Sequence, residues 1–345
     1  MNISGKLCSV LSVLTISAGA LFFADASTAA EVIKIGVAGA HSGDLASYGL
    51  PTARAAELVA EDVNAHGGIN GVKVELLLED DACKPEIATN TATKLLSEGV
   101  VAIIGHICSS ATKAALPIYN EADMIVISPS ATDSELTKSG DYPTFYRTIA
   151  PNDAQAGAIV NFTVDNLKAQ KIAIIHDKGD YGKGLAEDAR RIIEQDAKAK
   201  IVLFEGITPG AVDYSAVVQK VKRTRADAVI FGGYHPEAAK IVKRMRRKKM
   251  KTLFISDDGV KDETFIKVAE KSAEGVYATG PADVSSNSVT RKYRQAYTKK
   301  YGGEPGPFFD NAVAAALALT NSIRVAASTE TENIARTLRT QATAT

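Results

Sequence analysis

The chain has 345 residues, and its 40 Lys and Arg balance its 40 Asp and Glu, so the formal net charge at pH 7 is zero. A balanced charge excludes a global electrostatic field that would attract nucleic acid or an acidic surface. The length is sufficient for two domains of ordinary size.

Residues 1–30 have the composition of a signal peptide. Lys6 precedes the apolar segment LCSVLSVLTISAGALFFA, and the small residues of ASTAA provide a cleavage site. Hydroxyl residues interrupt the apolar segment, which is short of the roughly 20 apolar residues of a membrane span. We therefore expect cleavage near Glu31 and export of the remaining chain, rather than a membrane anchor.

Export bears on the three cysteines, because thiols oxidise outside the cytoplasm. Removal of the signal peptide takes away Cys8 and leaves Cys83 and Cys108. One disulfide is the simplest interpretation of two remaining cysteines. The alternative is an exported hydrolase with a reactive thiolate at Cys108, assisted by His106 two residues before it on the same strand face.

From Glu31 onward, short runs rich in Val and Ile alternate with segments of helical periodicity. This pattern is typical of βαβ units and predicts a doubly wound α/β fold with mainly parallel sheets. Helices are predicted in PTARAAELVAEDVNAHGG, KPEIATNTATKLLSEG and GLAEDARRIIEQDAKA. The predicted strands are VIKIGVAGA, VKVELLLEDD, VVAIIGH, MIVISPS, KIAIIHD, KIVLFEGI, ADAVIFGGY, TLFISDD and GVYATG.

The predicted units fall into two groups on either side of GDYPTFYRTIAPNDAQ. In this stretch an extended aromatic segment precedes a Pro-Asn-Asp helix start. Each group begins again with a strand and a helix, as expected for two similar lobes. We place the boundary between them near Thr148.

Ligands of open α/β sheets bind beyond the carboxyl ends of the strands, so the residues that follow each strand are candidates for a site. Hydroxyl groups, including those of Ser109 and Thr132, follow strands of the first group, whereas Asp258 and tyrosines follow strands of the second. Hydroxyls at a helix N-terminus suit a carboxylate, and an aspartate suits an ammonium. Together they predict a site for a zwitterionic amino acid, with helix N-capping as the alternative role for Ser109 and Thr132.

Several motifs with other chemistry are absent from the sequence. It has no phosphate-binding loop, nucleophile elbow or HExxH zinc motif, and its histidines lack the spacing of metal-ligand pairs. We therefore expect neither a metal nor another cofactor. The basic segment Lys240–Lys251 is interpreted as the solvated C-terminal end of a helix. Docking on an acidic membrane partner is the alternative for this segment, and nucleic-acid binding is not expected.

Six ordered segments closely resemble the periplasmic leucine/isoleucine/valine-binding proteins, the receptors of branched-chain amino-acid ABC importers. The similarity extends from about Glu31 to about Ala318. The segments are KIGVAGAHSGDLASYG, EDVNAHGGINGVKVELLLEDDACKPEIA, IIGHICSSAT, SPSATDSELT, IAIIHDKGDYGKGLA and FGGYHPEAA.

The resemblance implies a non-enzymatic, monomeric receptor of the periplasm. Two lobes, joined by three crossover strands and a hinge, would close on an aliphatic, branched-chain L-amino acid. The receptor would deliver this ligand to an inner-membrane ABC permease. The first lobe is expected to comprise residues 31–148 and about 281–345, and the second lobe residues 149–280.

The resemblance also implies roles for individual residues. Cys83 and Cys108 match the disulfide of the family. Ser109 is expected to bind the ligand carboxylate through its side chain and backbone. In the SPSAT motif, the carbonyl of Ser130 and the hydroxyl of Thr132 would receive the ammonium, while the N–H of Thr132 would bind the carboxylate. The other predicted ligand-binding residues are Ala131, Tyr48, Tyr181, Tyr234 and Asp258.

Three features depart from the family pattern. Asp258 stands where a Glu is usual, one methylene longer, so either the lobes close further or a water intervenes. Ser130 replaces a common Ala and adds a hydroxyl. The chain stops at LRTQATAT, where family members continue with a strand pair that makes the third crossing. A shortened, non-functional receptor is therefore one alternative, and a ligand sensor of the same fold that signals an amino acid or amide to a partner is another.

Overall fold

The structure is a computed structural model that describes Met1 and residues 32–340. Apart from Met1, the predicted signal peptide lies outside the described residues, as do the last five residues of the chain. Residues 32–340 form two five-stranded parallel sheets with flanking helices, which confirms the predicted two-lobed α/β fold. The first lobe is the part built on the first sheet, and the second lobe is the part built on the second sheet.

The first sheet contains apolar strands that are buried by helices, as expected for parallel sheets. Its strands are β1 (Val32–Gly39), β2 (Lys73–Asp80), β3 (Ala102–Ile104), β4 (Ile125–Ser128) and β5 (Phe145–Arg147). Their order in the sheet is β2-β1-β3-β4-β5. The strand β5 was not among the strands predicted from the sequence. It has three residues, and its pairing with β4, where Phe145 lies opposite Val126, defines it better than its own short pattern does.

The second sheet repeats this arrangement, with a strand order of β10-β9-β8-β6-β7. Its strands are β6 (Lys171–His176), β7 (Lys200–Gly206), β8 (Ala228–Gly232), β9 (Leu253–Ser256) and β10 (Val276–Ala278). In both sheets the strand that begins the lobe lies inside the sheet and pairs with two neighbours. The carboxyl ends of these strands carry the polar residues that the sequence analysis singled out.

Twelve α-helices connect and cover the strands in the described residues. The helix α1 begins a turn earlier than predicted, and Pro51 lies inside it. Short π- and 3₁₀-helical turns occur at Phe162–Asn166, Asp258–Val260 and Glu270–Ala273. The helices are α1 (Ala46–Ala65), α2 (Pro85–Ser97), α3 (Ser109–Glu121), α4 (Glu135–Lys138), α5 (Asn152–Asn161), α6 (Asp180–Asp196), α7 (Ser215–Thr224), α8 (His235–Arg247), α9 (Glu263–Ala269), α10 (Ser288–Tyr301), α11 (Phe309–Ala326) and α12 (Thr331–Thr340).

The last three helices return to the first lobe and complete its core. Tyr293, Phe309, Leu319 and Ile334 pack in one apolar cluster with residues of β1, β3 and β4. No single helix in the described part of the chain has the length and apolar composition of a membrane span. Taken as a pair, α11 and α12 pass this test, but they bend by 112° at the break between them.

A disulfide joins Cys83 to Cys108, as predicted. The two Cα atoms are 5.5 Å apart, which is a normal separation for a disulfide. Cys83 precedes α2, and Cys108 is the residue before α3. The bond therefore fixes the start of α3, where Ser109 lies, against the neighbouring helix.

Removal of this disulfide should destabilise the protein through the unfolded state. A bridge across 25 residues reduces the entropy of the unfolded chain, and its loss should cost about 3 kcal/mol. We expect the double variant Cys83→Ala/Cys108→Ala to unfold at lower denaturant concentration than the wild type, as measured by circular dichroism. Reductant should shift the wild type towards the variant and leave the variant unchanged; equal midpoints would contradict this account.

Candidate functional site

The first-lobe half of the site lies at the N-terminus of α3. The first N–H groups of a helix have no partner within that helix, so they are available to an anion. Ser109 is the first residue of α3 and is buried, and its Oγ accepts a hydrogen bond of 3.1 Å from the N–H of Asp133. The hydroxyl therefore binds the loop that follows β4 and does not cap α3, whose N-cap residue is Cys108.

The SPSAT motif follows β4 and lies beside α3. The hydroxyl of Ser130 donates to the carbonyl of Ile107 at 2.8 Å, so the extra hydroxyl of this chain is used within the protein. Ala131 and Thr132 are fully buried. The Oγ1 of Thr132 has no hydrogen-bond partner among the described residues. A buried hydroxyl without a partner is costly, which marks this atom as a candidate ligand contact.

The second-lobe half of the site centres on Asp258, which begins a 3₁₀ turn after β9. One carboxylate oxygen, Oδ1, accepts a hydrogen bond from the hydroxyl of Tyr181, which in turn accepts one of 2.8 Å from the N–H of Gly259. The other oxygen, Oδ2, is buried and has no partner within residues 32–340. Burial raises the pKa of Asp258, and the hydrogen bond from Tyr181 opposes this rise.

Two more buried carboxylates lie near Asp258. Asp257 accepts a hydrogen bond of 3.0 Å from the N–H of Gly233, and burial together with the charge of Asp258 raises its pKa well above the usual value. Burial raises the pKa of Asp177 to about 7, although the N–H of Gly179 donates to it at 2.8 Å. In the described residues no Lys, Arg or His forms a salt bridge with any of these three carboxylates.

Tyrosine side chains from both lobes meet between these two halves. The ring centroids of Tyr181 and Tyr234 are 5.0 Å apart, and those of Tyr48 and Tyr234 are 5.9 Å apart. The Tyr48 hydroxyl lies 2.6 Å from both the carbonyl oxygen of Gly259 and Nδ1 of His235. A phenol has one proton, so Tyr48 donates to the carbonyl and accepts from the imidazole N–H.

These side chains enclose a cavity of about 10 Å³, which is about the space that one water molecule requires. An amino acid at this place therefore requires the surrounding side chains to move apart. The cavity brings together serine hydroxyls, a carboxylate and aromatic rings. It is lined by Tyr48, Ile107, Cys108, Ser109, Ser130, Tyr181, Tyr234, Asp258, Gly259 and Phe308.

Six of the eight predicted ligand-binding residues line this cavity, and Ala131 and Thr132 are buried next to it in sequence without lining it. The roles assigned to them stay predictions. The cavity is also lined by Ile107, Gly259 and Phe308, which the sequence did not predict as ligand contacts. Ile107 and Gly259 adjoin predicted residues, whereas Phe308 comes from the Pro- and Gly-rich turn before α11, which carries no strand-end signal.

The hydrolase alternative receives no support from the surroundings of His106. This residue follows β3 rather than lying within it, which corrects the expectation of a shared strand face. Its Nδ1 is 2.6 Å from Oδ2 of Asp81, and its Nε2 is 3.1 Å from the Tyr119 hydroxyl. Cys108 is in the disulfide. The described residues contain no group of three or more His, Cys, Asp or Glu that could hold a metal ion.

The basic segment Lys240–Lys251 contains the last turns of α8, which ends at Arg247, and the four residues that follow the helix. Two of its cations bind carbonyl groups of neighbouring segments: Lys243 donates to that of Val268 in α9 at 2.7 Å, and Arg246 donates to that of Glu274 at 3.1 Å. These contacts favour the interpretation as a structural helix end.

The cleft between two α/β lobes, with polar strand ends on both sides, is the architecture of a binding protein. The family model described as periplasmic binding protein matches residues 32–345. The chain therefore belongs to the periplasmic binding protein family, as its resemblance to the leucine/isoleucine/valine-binding proteins predicted.

Two curated relatives and one solved structure define this similarity. The Leu/Ile/Val-binding protein of Escherichia coli K12 is 36% identical over 309 residues, which cover 89% of this chain and 82% of that protein. A leucine-, isoleucine-, valine-, threonine- and alanine-binding protein of Pseudomonas aeruginosa is 33% identical, covering 92% and 84% of the two chains. The branched-chain amino acid transporter substrate binding protein LivJ of Streptococcus pneumoniae, solved in complex with isoleucine, has a TM-score of 0.81 and 29% identity, covering 89% and 88%.

The backbone of α6 packs closely against that of β8 next to Tyr181, and this packing can be tested directly. An ideal Cβ at Gly182 would lie 2.4 Å from the carbonyl oxygen of Gly232 and 2.5 Å from Oδ1 of Asp177. We expect Gly182→Ala to lower the free energy of unfolding by about 1–3 kcal/mol, because backbone atoms would have to move.

The matched control is Gly157→Ala, since nothing lies within 4 Å of an ideal Cβ at that helical position. This substitution should be neutral or stabilise the protein by up to about 1 kcal/mol. Equal denaturation midpoints for the two variants would contradict the close approach of α6 to β8.

Proposed function

We propose that this protein is a periplasmic receptor that captures an aliphatic, branched-chain L-amino acid between its lobes and delivers it to an inner-membrane ABC permease. Ser109 and the N–H of Thr132 bind the ligand carboxylate. The carbonyl of Ser130, the hydroxyl of Thr132 and the carboxylate of Asp258 bind the ammonium. The relatives whose names specify leucine, isoleucine and valine support this ligand class, and the signal-like residues 1–30 support export.

The observation that carries the proposal is the pair of unsatisfied oxygens at the site. Thr132 follows β4 of the first lobe, and Asp258 follows β9 of the second. Neither Oγ1 of Thr132 nor Oδ2 of Asp258 has a hydrogen-bond partner in the described part of the chain. Both atoms are acceptors, and Asp258 belongs to a cluster of three carboxylates that make no salt bridge within residues 32–340. An ammonium supplies three donors and a positive charge, so it complements both oxygens.

Burial of the site indicates that the lobes must separate before a ligand can enter. Contacts between the lobes surround the cavity. Asp180 donates its N–H to Ser110 Oγ at 2.9 Å, and Ser47 donates its hydroxyl to Asp262 at 2.5 Å. Such hydrogen bonds contribute about 1 kcal/mol each, which holds the lobes closed without preventing their opening. A ligand shifts this equilibrium by its greater affinity for the closed form.

Calorimetric titration tests the proposal as a whole. The protein is unfolded and refolded to remove copurified ligand, and then titrated with L-leucine, L-isoleucine and L-valine. We expect saturable one-to-one binding of at least one of them. A cooperatively melting protein that gives no heat with any common L-amino acid would overturn the proposal.

Neutralisation of Asp258 should weaken binding. Asp258→Asn keeps the shape of the side chain but removes its charge, so the ammonium would be buried without its partner. We expect a loss of at least about 2 kcal/mol in binding free energy, measured by the same titration. Asp165→Asn is the control, because Asp165 pairs with Lys198 on the surface. Unchanged affinity in Asp258→Asn would show that another group receives the ammonium.

Removal of the Thr132 hydroxyl tests the other half of the ammonium site. Thr132→Val is close in shape and eliminates a buried hydroxyl that lacks a partner in the part of the chain described here. The variant should therefore melt at the same temperature as the wild type or higher, while its amino-acid affinity decreases. Lower thermal stability with unchanged affinity would assign the hydroxyl a structural role instead.

A further inference from the structure

Asp258 lines a second cavity in addition to the small one between the tyrosines. This larger cavity lies along the two connections between the sheets, at residues 148–150 and 279–282, and its walls also include Gln155. Asp258 therefore separates the proposed ligand cavity from a second space, and Gln155 faces that second space together with it. A carboxylate in this position needs a hydrogen-bond donor on the side that faces away from the ligand.

The first turn of α5 makes two hydrogen bonds to residues of the site. The N–H of Asn152 donates to the carbonyl of Thr132 at 2.7 Å. The Asn152 side-chain amide donates to the carbonyl of Tyr181 at 3.0 Å. Gln155 is three residues further along the helix and therefore lies on the same face as Asn152. The same turn thus contacts Thr132 of the first lobe and Tyr181 of the second, and its Gln155 lines the same cavity as Asp258.

The polar atoms of Gln155 and Asp258 complement each other. Asp258 Oδ2 and Gln155 Oε1 are both buried oxygens without a hydrogen-bond partner within residues 32–340. The oxygen and nitrogen of a glutamine amide are assigned from the groups around them, and only Nε2–H can donate to a carboxylate. The side chain of Gln155 opposes the rise that burial causes in the pKa of Asp258, as an amide donor near this carboxylate would.

We propose that Gln155 is a positioning residue of the amino-acid site, which donates a hydrogen bond to Asp258 and holds its carboxylate oriented and ionised for the ligand ammonium. This inference rests on the proposed function. A neutral amide fits this place because a Glu at 155 would add a fourth carboxylate to Asp177, Asp257 and Asp258.

Other ionisable groups lie near Asp258 or line the cavities that it lines, and the experiment leaves all of them unchanged. They come from strand ends, helices and cavity walls. They are Asp177, Tyr181, Tyr234, Asp257, Lys261, Asp262, Glu263, Lys267, Asp283, Arg294, Glu304 and Asp310.

The test compares Gln155→Met with the wild type in calorimetric titrations between pH 5 and pH 8. Met retains the length of Gln but cannot donate a hydrogen bond. We expect the affinity for the tightest-binding branched-chain amino acid to fall about tenfold at pH 8. The loss should increase at lower pH, because a carboxyl with a higher pKa is protonated earlier as pH falls. A change below twofold, or the same factor at every pH, would overturn the proposal, since a purely structural role would not alter the pH profile.

Two further variants complete the design. Gln219→Met is the matched control, because Gln219 is an exposed amide that accepts from Lys248 on the surface, and it should behave as the wild type. Gln155→Glu keeps the shape of the side chain and adds a negative charge, so it should weaken binding at least as much as Gln155→Met. If Gln155→Met does not fold, Gln155→Glu provides the same comparison.

A measurement without ligand separates this inference from the proposed function. The carboxyl ¹³C resonance of Asp258, assigned by comparison with Asp258→Asn, reports its titration directly. We expect its pKa to be higher in Gln155→Met than in the wild type, and an unchanged pKa would overturn the role of Gln155. If the wild type bound no amino acid, the proposed function would fail, while this titration would still decide whether Gln155 acts on Asp258.

Discussion

The burial of the Asp258 carboxylate is the constraint on which the rest of the site depends. A buried carboxylate requires hydrogen bonds or a cation, because the loss of hydration is expensive. The Tyr181 hydroxyl satisfies one oxygen, and the other has no partner among the described residues. Burial and neighbouring carboxylates also raise the pKa of Asp257 and of Asp177 at the same strand ends, so a positive charge nearby would stabilise the ionised form of each. The second lobe therefore has a preference for a cationic group before any feature of the first lobe is considered.

The first lobe has the complementary preference. The disulfide at Cys108 and the bond between Ser109 and the N–H of Asp133 fix the start of α3, whose N-terminal N–H groups favour an anion. Neither half of the site by itself distinguishes an amino acid from a simple ion. The two halves together do so, because a zwitterionic amino acid carries a positive and a negative charge at a fixed separation. Closure of the lobes then excludes water and strengthens both interactions.

Much of this arrangement could be predicted from the sequence, because its signals are local. Runs of Val and Ile predicted nine of the ten described strands. The polar residues after these strands were candidates for ligand binding, because the carboxyl ends of parallel strands lie at the same edge of a sheet. The strand β5 was missed, since three residues carry no periodicity and Phe145 is a strand residue only through its partner in β4. The start of α1 was also missed, because Pro51 has the appearance of a first helical residue.

The remaining parts of the site depend on contacts between distant segments. Phe308 reaches the cavity from the turn before α11, with a φ of 63°, and this turn approaches the site only because the last helices return to the first lobe. The support from α5 is also non-local, since Asn152 contacts residues of both lobes. No pattern within the sequence of α5 indicates these partners.

The shorter side chain at position 258 gives these distant contacts added importance. A Glu would extend one methylene further into the cavity, whereas Asp keeps its carboxylate close to the backbone of the 3₁₀ turn and within reach of Tyr181. In the proposed site, an ammonium would therefore approach further towards the second lobe to pair with Asp258. Its pairing would then depend on the polar contacts behind the carboxylate as well as on the residues that line the ligand cavity.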